Sequence, residues 1–171
     1  MRHITLKLSA VLVLAAILVL AYHVYKEQSR PFQEMPKTVA NFAGFNTEGE
    51  KAEYYFERGA VTLIVLSASW CPACIAEMPI LKRLHKDYSP KGFKILMISE
   101  DDNVKAAARF KKMQAMPWTV IHWNYDLMNA LGNPRVLPVS YLVDGNDDVV
   151  NISAGIIDEK KMRSNIERIL K

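Results

Sequence analysis

The hydrophobic positions of the chain form one long apolar run near the N terminus and several shorter runs after it. Residues 61–67 (VTLIVLS) form a continuous apolar, β-branched run, as expected of a central strand buried on both faces, and residues 93–99 (FKILMIS) predict a second buried strand. Helical patterns follow them at 72–88 and 104–113. This alternation of strand and helix predicts an α/β fold.

Weaker patterns on either side complete the predicted domain. Before the first buried strand, a loosely alternating stretch with a Thr-Glu-Gly turn at 47–49 indicates a hairpin or a short edge strand. The whole is predicted to be a mixed central sheet flanked by helices. The C-terminal part predicts a short helix at 125–131, strands at 139–144 and 149–153, and a last helix with Met162, Ile166, Ile169 and Leu170 on one face.

The long N-terminal run is LSAVLVLAAILVLAYHVY, residues 8–25, interrupted only by Ser9 and His23. At a rise of about 1.5 Å per residue it reaches about 27 Å, close to a hydrocarbon core of roughly 30 Å. We therefore predict an N-terminal transmembrane helix. A cleaved signal peptide is the alternative, because Val19-Leu20-Ala21 offers small side chains to a signal peptidase.

These patterns divide the chain into three parts. Residues 1–25 are predicted to be a membrane anchor or signal sequence, residues 26–38 a polar linker with two prolines, and residues 39–171 the folded domain. Both interpretations of the first part imply export. We expect a single-pass protein of the cytoplasmic membrane with its domain on the periplasmic or extracytoplasmic side.

Composition narrows the classes of partner. The chain has 171 residues, half of them hydrophobic, which suits one domain with a packed core. The formal net charge of +4 is modest, and no basic stripe with interleaved aromatic side chains is present in the sequence. Nucleic acid is therefore not expected as a partner, and we expect a monomer.

The candidate chemistry lies in SASWCPAC, residues 67–74, which holds the chain's two cysteines. Cys71 and Cys74 stand where a buried strand ends and a helix begins, with Pro72 in the first helical turn. Free N–H groups and the positive end of the helix dipole favour a thiolate, so the pKa of Cys71 should fall below that of free cysteine. This predicts an exposed attacking thiol, Cys71, and a sheltered resolving thiol, Cys74.

Two other roles fit a cysteine pair. It could supply half of a zinc site, but there is no second Cys-X-X-Cys, and His85 and His122 lack the spacing of a zinc finger. A purely structural disulfide that closes so short a loop would add only about 2 kcal/mol. We therefore predict redox activity, with no metal and no other cofactor.

Three motifs make the sequence resemble a known family: ASWCPAC, Pro79 eight residues after Cys71, and VLPVSYLVD at 136–144. They resemble the thioredoxin fold and, more narrowly, the membrane-anchored, exported TlpA/ResA-type thiol-disulfide oxidoreductases, over roughly residues 39–171. The resemblance implies a thioredoxin-like fold with a cis peptide bond before Pro138, against the alternative of a trans proline that opens a strand. Substrate segments would then bind at Trp70, Pro72, Leu137 and Pro138.

Carboxylates near the cysteines are the remaining candidates. Glu77 lies three residues after Cys74, where TlpA/ResA-type reductases carry a glutamate, and we count it among the catalytic residues. A surface glutamate is the alternative. The buried aspartate of thioredoxin corresponds here to Val65, so that acid–base group is absent. The acidic cluster 100–102 is expected at the same sheet edge as Cys71, either lining the active site or forming a solvated loop.

The resemblance also implies a function. The Cys71/Cys74 dithiol would exchange with disulfides of exported proteins, as a reductase that receives electrons from a membrane thiol-disulfide reductase. Apocytochrome c, and so cytochrome c biogenesis, is the substrate most associated with the family. A disulfide oxidant or isomerase, or a non-catalytic binding domain with a permanent disulfide, are the alternatives.

Overall fold

The computed structural model describes residues 2–28 and 35–171, with side chains described from residue 12. Contacts divide the chain into two compact units, residues 1–31 and 32–171. In the first unit, helix α1 (Arg2–Gln28) covers the apolar run and continues into the predicted linker, of which residues 29–34 lie outside the described residues. Within the described part of the chain, no helix combines the length and apolar character needed to cross a membrane. The predicted span stays a prediction.

The second unit contains the elements that surround the cysteines. In chain order they are β1 (Ala43–Phe45), β2 (Lys51–Glu53), α2 (Tyr54–Glu57), β3 (Val61–Ser67), α3 (Pro72–Tyr88), β4 (Phe93–Ser99), α4 (Val104–Met113), β5 (Thr119–His122), α5 (Tyr125–Ala130), β6 (Val139–Asp144), β7 (Val149–Ala154) and α6 (Glu159–Ile169).

A five-stranded sheet with the order β5-β4-β3-β6-β7 forms the centre of this unit. Strand β3 is parallel to β4 and β4 to β5, whereas β6 pairs antiparallel with both β3 and β7. The predicted mixed sheet is confirmed, and β1 and β2 form the predicted hairpin. The hydrophobic pattern did not delimit the edge strand β5, because it has only four residues and two of them are half-buried.

Helices on both faces of the sheet explain the unbroken apolar run of β3. Leu63 and Val65 pack in the core that includes α3 and α6, whereas Ile64 and Leu66 pack in the core that includes α2 and α5. All seven residues of β3 are buried. A strand covered on both faces has no solvent side, so polar residues cannot alternate along it.

The register of β3 and β4 brings their carboxyl ends to one edge of the sheet. Ser67 pairs with Ser99, and the next backbone N–H, of Glu100, donates to Ser67 O at 2.9 Å. The segments that leave these two strands therefore start side by side. The predicted position of the acidic cluster, at the same edge as Cys71, is confirmed.

The folded unit also takes in the end of the predicted linker. Val149 N donates to Lys37 O at 2.8 Å, and Val39 N donates to Asp147 O at 2.9 Å. Thr38 pairs with Asp148 as an isolated bridge. Backbone pairing at the β6–β7 turn thus begins two residues before Val39, where the apolar pattern begins.

Candidate active site

The start of α3 places the first cysteine at a helix N terminus. Cys71 is the N-cap residue, with extended backbone angles (φ −94°, ψ 108°), and its Sγ accepts a hydrogen bond from Cys74 N at 3.2 Å. Pro72 follows in the first turn, where an N–H would have no helical partner. The Cys71 sulfur therefore lies at the positive end of the helix dipole, as the sequence predicted.

The two cysteines form a disulfide, with an S–S distance of 2.22 Å and a Cα–Cα distance of 5.2 Å. Cys71 is 5% exposed and Cys74 is 0% exposed. The order of exposure agrees with the prediction, but the expectation of an openly exposed Cys71 is wrong, because Ala68 and Leu137 pack against the pair. Access to Cys71 is confined to one side.

That side is a cleft of about 430 Å³ next to Cys71. It is bounded by the start of α3, the loop after β4 and the loop before β6. Trp70 is 61% exposed and forms an apolar wall that a partner can contact. The lining residues are Trp70, Cys71, Pro72, Ala73, Glu100, Pro134, Arg135, Val136 and Leu137.

The loop before β6 contributes the cis peptide bond that the resemblance implied, between Leu137 and Pro138. The trans alternative is therefore wrong. Leu137 lines the cleft, whereas Pro138 is buried and is not one of the lining residues. The structure thus brings Trp70, Pro72 and Leu137 together, and Pro138 contributes by shaping the loop.

Glu77 points into the protein and is fully buried. Its Oε1 accepts a hydrogen bond from Ile157 N at 2.8 Å, while Oε2 has no hydrogen-bond partner among the described residues. Burial raises the pKa of Glu77 to about 7, and the Ile157 N–H partly opposes this shift. The surface-glutamate alternative is wrong, because this face of α3 packs on the sheet. Its role in proton transfer stays a prediction.

Two serines lie on the same sheet face as Val65, the position that holds an aspartate in thioredoxin. Ser140 pairs with Val65 across β6 and β3, and Ser67 is two residues further along β3. Both hydroxyls are buried and have no hydrogen-bond partner within the described part of the chain. Sequence reasoning missed Ser140, although the alternation of β6 places it on this face.

The acidic cluster separates into three environments. Glu100 lines the cleft, and burial raises its pKa. Asp101 is 1% exposed and its carboxylate accepts hydrogen bonds from Ser69 and Ser99. Asp102 is exposed. The prediction of an acidic rim is therefore correct for Glu100, and the solvated-loop alternative describes Asp102 alone.

The chain is similar to proteins named thiol-disulfide oxidoreductase ResA. The ResA of Geobacillus thermodenitrificans is 23% identical over 167 residues, which cover 96% of this chain and 95% of that protein. Thioredoxin-like protein YneN of Bacillus subtilis is 25% identical over 156 residues, or 85% of this chain and 86% of YneN.

Solved structures show the same fold. A crystal structure of a thioredoxin-family thiol:disulfide interchange protein from Chlorobium tepidum matches 81% of this chain and 99% of its own, with a TM-score of 0.71 at 20% identity. The second unit therefore has a thioredoxin-like fold. The Redoxin family model matches residues 33–170, a range that includes the sheet, both cysteines and the cleft. The chain belongs to the Redoxin family, and within it resembles the ResA-type thiol-disulfide oxidoreductases.

Proposed function

We propose that this thiol-disulfide oxidoreductase works as a reductase of disulfides in exported proteins. The observation that carries the proposal is the closed Cys71–Cys74 pair at the N terminus of α3, in which Cys71 borders a cleft and Cys74 is fully buried. The similarity to proteins named ResA supports the same class of reaction. Cytochrome c maturation, with apocytochrome c as substrate, is proposed on the resemblance alone.

The proposed reaction passes two electrons from the dithiol to a substrate. The Cys71 thiolate attacks one sulfur of the substrate disulfide, and the other sulfur leaves as a thiolate and takes up a proton. Cys74 then attacks Cys71 Sγ in the mixed disulfide. In this step the Cys74 thiol gives up its proton, the second substrate sulfur leaves as a thiolate and takes up a proton, and the disulfide present in the structure forms. A membrane thiol-disulfide reductase is the proposed electron donor that reduces the pair again.

The cleft supports binding of an extended substrate segment. Leu137 packs against the cysteine pair and lines the cleft, and its backbone is proposed to pair with such a segment in the manner of an added strand. Trp70 and Pro72 would contact its side chains from the α3 side. Glu100 at the rim disfavours acidic segments, because like charges repel across a partly desolvated interface.

The direction of electron flow is tested by the reduction potential of the domain. We expect a value closer to the roughly −270 mV of thioredoxin than to the roughly −120 mV of DsbA. Equilibration with glutathione or dithiothreitol buffers, followed by alkylation and mass measurement, gives this value. A potential near that of DsbA would instead identify an oxidant or isomerase. A pair that dithiothreitol cannot reduce in the folded protein would identify a non-catalytic binding domain.

The location is proposed from the apolar run of residues 8–25. The full-length protein is expected to fractionate with membranes, while a chain that begins near Pro36 stays in the supernatant and keeps its activity. Immunoblots of membrane and supernatant fractions, with carbonate washing, measure this. Recovery of a mature chain that begins at Tyr22 would show cleavage by signal peptidase and contradict the anchor.

A further inference from the structure

Asp101 is a buried acidic residue that has no role in the proposed thiol-disulfide exchange. Its side chain is at the carboxyl-terminal edge of the sheet, in the loop after β4, and the residue is 1% exposed. Burying a carboxylate is costly unless hydrogen bonds compensate it. The contacts of Asp101 therefore indicate what the buried group does.

The Asp101 carboxylate holds the chain just before the cysteines. Ser69 Oγ donates to Asp101 Oδ1 at 2.6 Å, and Ser69 N donates to the same oxygen at 3.0 Å. Ser99 Oγ donates to Oδ2 at 2.8 Å. Three donors thus satisfy the carboxylate, and the shortest of these bonds is in the range of charge-assisted hydrogen bonds.

The backbone of Asp101 is held as well. Its N–H donates to Ser99 Oγ at 3.2 Å, and His122 Nε2 lies 2.7 Å from its carbonyl oxygen. A carbonyl oxygen can only accept, so His122 carries its proton on Nε2. Asp101 is thereby fixed to β4 and β5, and Ser69 is fixed to Asp101.

Ser69 belongs to the turn that presents the attacking thiol. We call residues 68–71 the active-site turn. A hydrogen bond from Cys71 N to Ala68 O, 3.2 Å long, closes this turn. Cys71 follows Ser69 by two residues, and Ser69 makes two hydrogen bonds to Asp101. Any movement of Ser69 therefore moves Cys71.

We propose that Asp101 is a positioning residue for Cys71: it fixes the active-site turn through Ser69, and its buried negative charge disfavours the Cys71 thiolate. The role rests on the proposed use of Cys71 as the attacking thiol. This effect opposes that of the helix dipole, which favours the thiolate. The two opposing fields set how readily Cys71 ionises.

Other charged groups around the active-site turn contribute to the same field. A nearby like charge raises the pKa of an acid, and the effect falls with distance and exposure. The variants below change one such group at a time. Such side chains on the surrounding elements include Glu77 of α3, Glu100 and Asp102 of the loop after β4, His122 of β5 and Arg135 of the loop before β6.

The test measures the reactivity of Cys71 directly. In a Cys74→Ser background Cys71 is the only thiol, since the chain has two cysteines. The rate of its alkylation by iodoacetamide is measured against pH in this background and after Asp101→Asn or Asp102→Asn. Asp101→Asn keeps an oxygen for Ser69 and removes the charge, and Asp102→Asn removes the same charge from an exposed neighbour. We expect Asp101→Asn to lower the midpoint by roughly one pH unit and Asp102→Asn to leave it nearly unchanged.

A second variant tests the positioning. Ser69→Ala keeps the charge and loses the 2.6 Å bond, so it should slow the attack of Cys71 on oxidised glutathione several-fold at a pH above the midpoint, where ionisation is complete. Equal midpoints in Asp101→Asn and Asp102→Asn, or an unchanged rate in Ser69→Ala, would overturn the proposal and leave Asp101 a residue that only stabilises the fold. If Asp101→Asn does not fold by circular dichroism, Ser69→Ala alone decides. None of these readouts needs a protein partner, so they do not depend on whether the enzyme is a reductase.

Discussion

Cys74→Ser is expected to accumulate mixed disulfides between Cys71 and substrate proteins, whereas Cys71→Ser should trap almost none. Cys71 borders the cleft and lies at the helix N terminus, where its thiolate is favoured, whereas Cys74 is fully buried. Without Cys74 the mixed disulfide has no internal thiol to resolve it, so it persists. We expect at least roughly tenfold more trapped partner in Cys74→Ser than in the wild type.

The measurement is non-reducing electrophoresis of extracts treated with acid to stop thiol exchange, with the protein detected by a tag. The double variant, with both cysteines replaced by serine, is the matched control, because it keeps the fold's surface and has no thiol. If Cys71→Ser trapped partners while Cys74→Ser trapped none, the roles assigned to the two thiols would be reversed.

Glu77→Gln is expected to stabilise the protein at alkaline pH relative to the wild type. The pKa of Glu77 is about 7 in the fold against an ordinary value of 4.5, because burial disfavours the charged form. The neutral carboxyl group of the wild type therefore makes its full contribution to the free energy of unfolding below about pH 4.5. This contribution is lost as the pH rises through about 7. Glutamine stays neutral and retains an oxygen for Ile157 N.

The stability difference between Glu77→Gln and the wild type should thus grow by roughly 3 kcal/mol from pH 4 to pH 8, since each pKa unit represents about 1.4 kcal/mol. Urea unfolding of the oxidised proteins at several pH values measures it. Glu50→Gln, in an exposed turn, is the control and should change stability little. A difference that does not vary with pH would contradict a raised pKa for Glu77.

The same variant tests whether Glu77 handles a proton of the cysteine pair. A carboxyl group that titrates near neutral pH suits proton transfer when Cys74 attacks the mixed disulfide. Glu77→Gln should lower the pKa of at least one thiol and slow release of the mixed disulfide. Alkylation rates of both thiols against pH decide this. Superimposable curves for wild type and variant would leave the proton unassigned.

Residues close together in the sequence carried most of the correct predictions about the fold. The apolar residues of β3 and β4 predicted buried strands, and the parallel pairing of these strands followed from the helix between them. Cys71 and Pro72 at the start of α3 predicted a thiol at a helix N terminus. These inferences depend only on side-chain type and spacing, which determine local backbone preference and which face is apolar.

Predictions about exposure were less successful, because exposure depends on segments that are distant in the chain. The expectation of an open Cys71 was wrong since Leu137 packs against it. Glu77 was left between two interpretations until Ile157, 80 residues away, proved to be its hydrogen-bond donor. In the sequence, Asp101 was only one acidic residue of a charged cluster. In the structure, Ser69, 32 residues before it, donates a hydrogen bond to its carboxylate.

By itself, the sequence determined the alternation of strands and helices, the redox-type cysteine pair at a helix start, and the family resemblance. Each of these depends on the type and spacing of residues within short stretches of the chain. Only the tertiary structure decided which acidic side chains near the cysteines are buried. Glu77 and Asp101 are buried, and Glu100 lines the cleft. The physical reason is that the pKa and reactivity of a group depend on its desolvation and on the charges around it. Both are set by packing between elements that lie far apart in the chain.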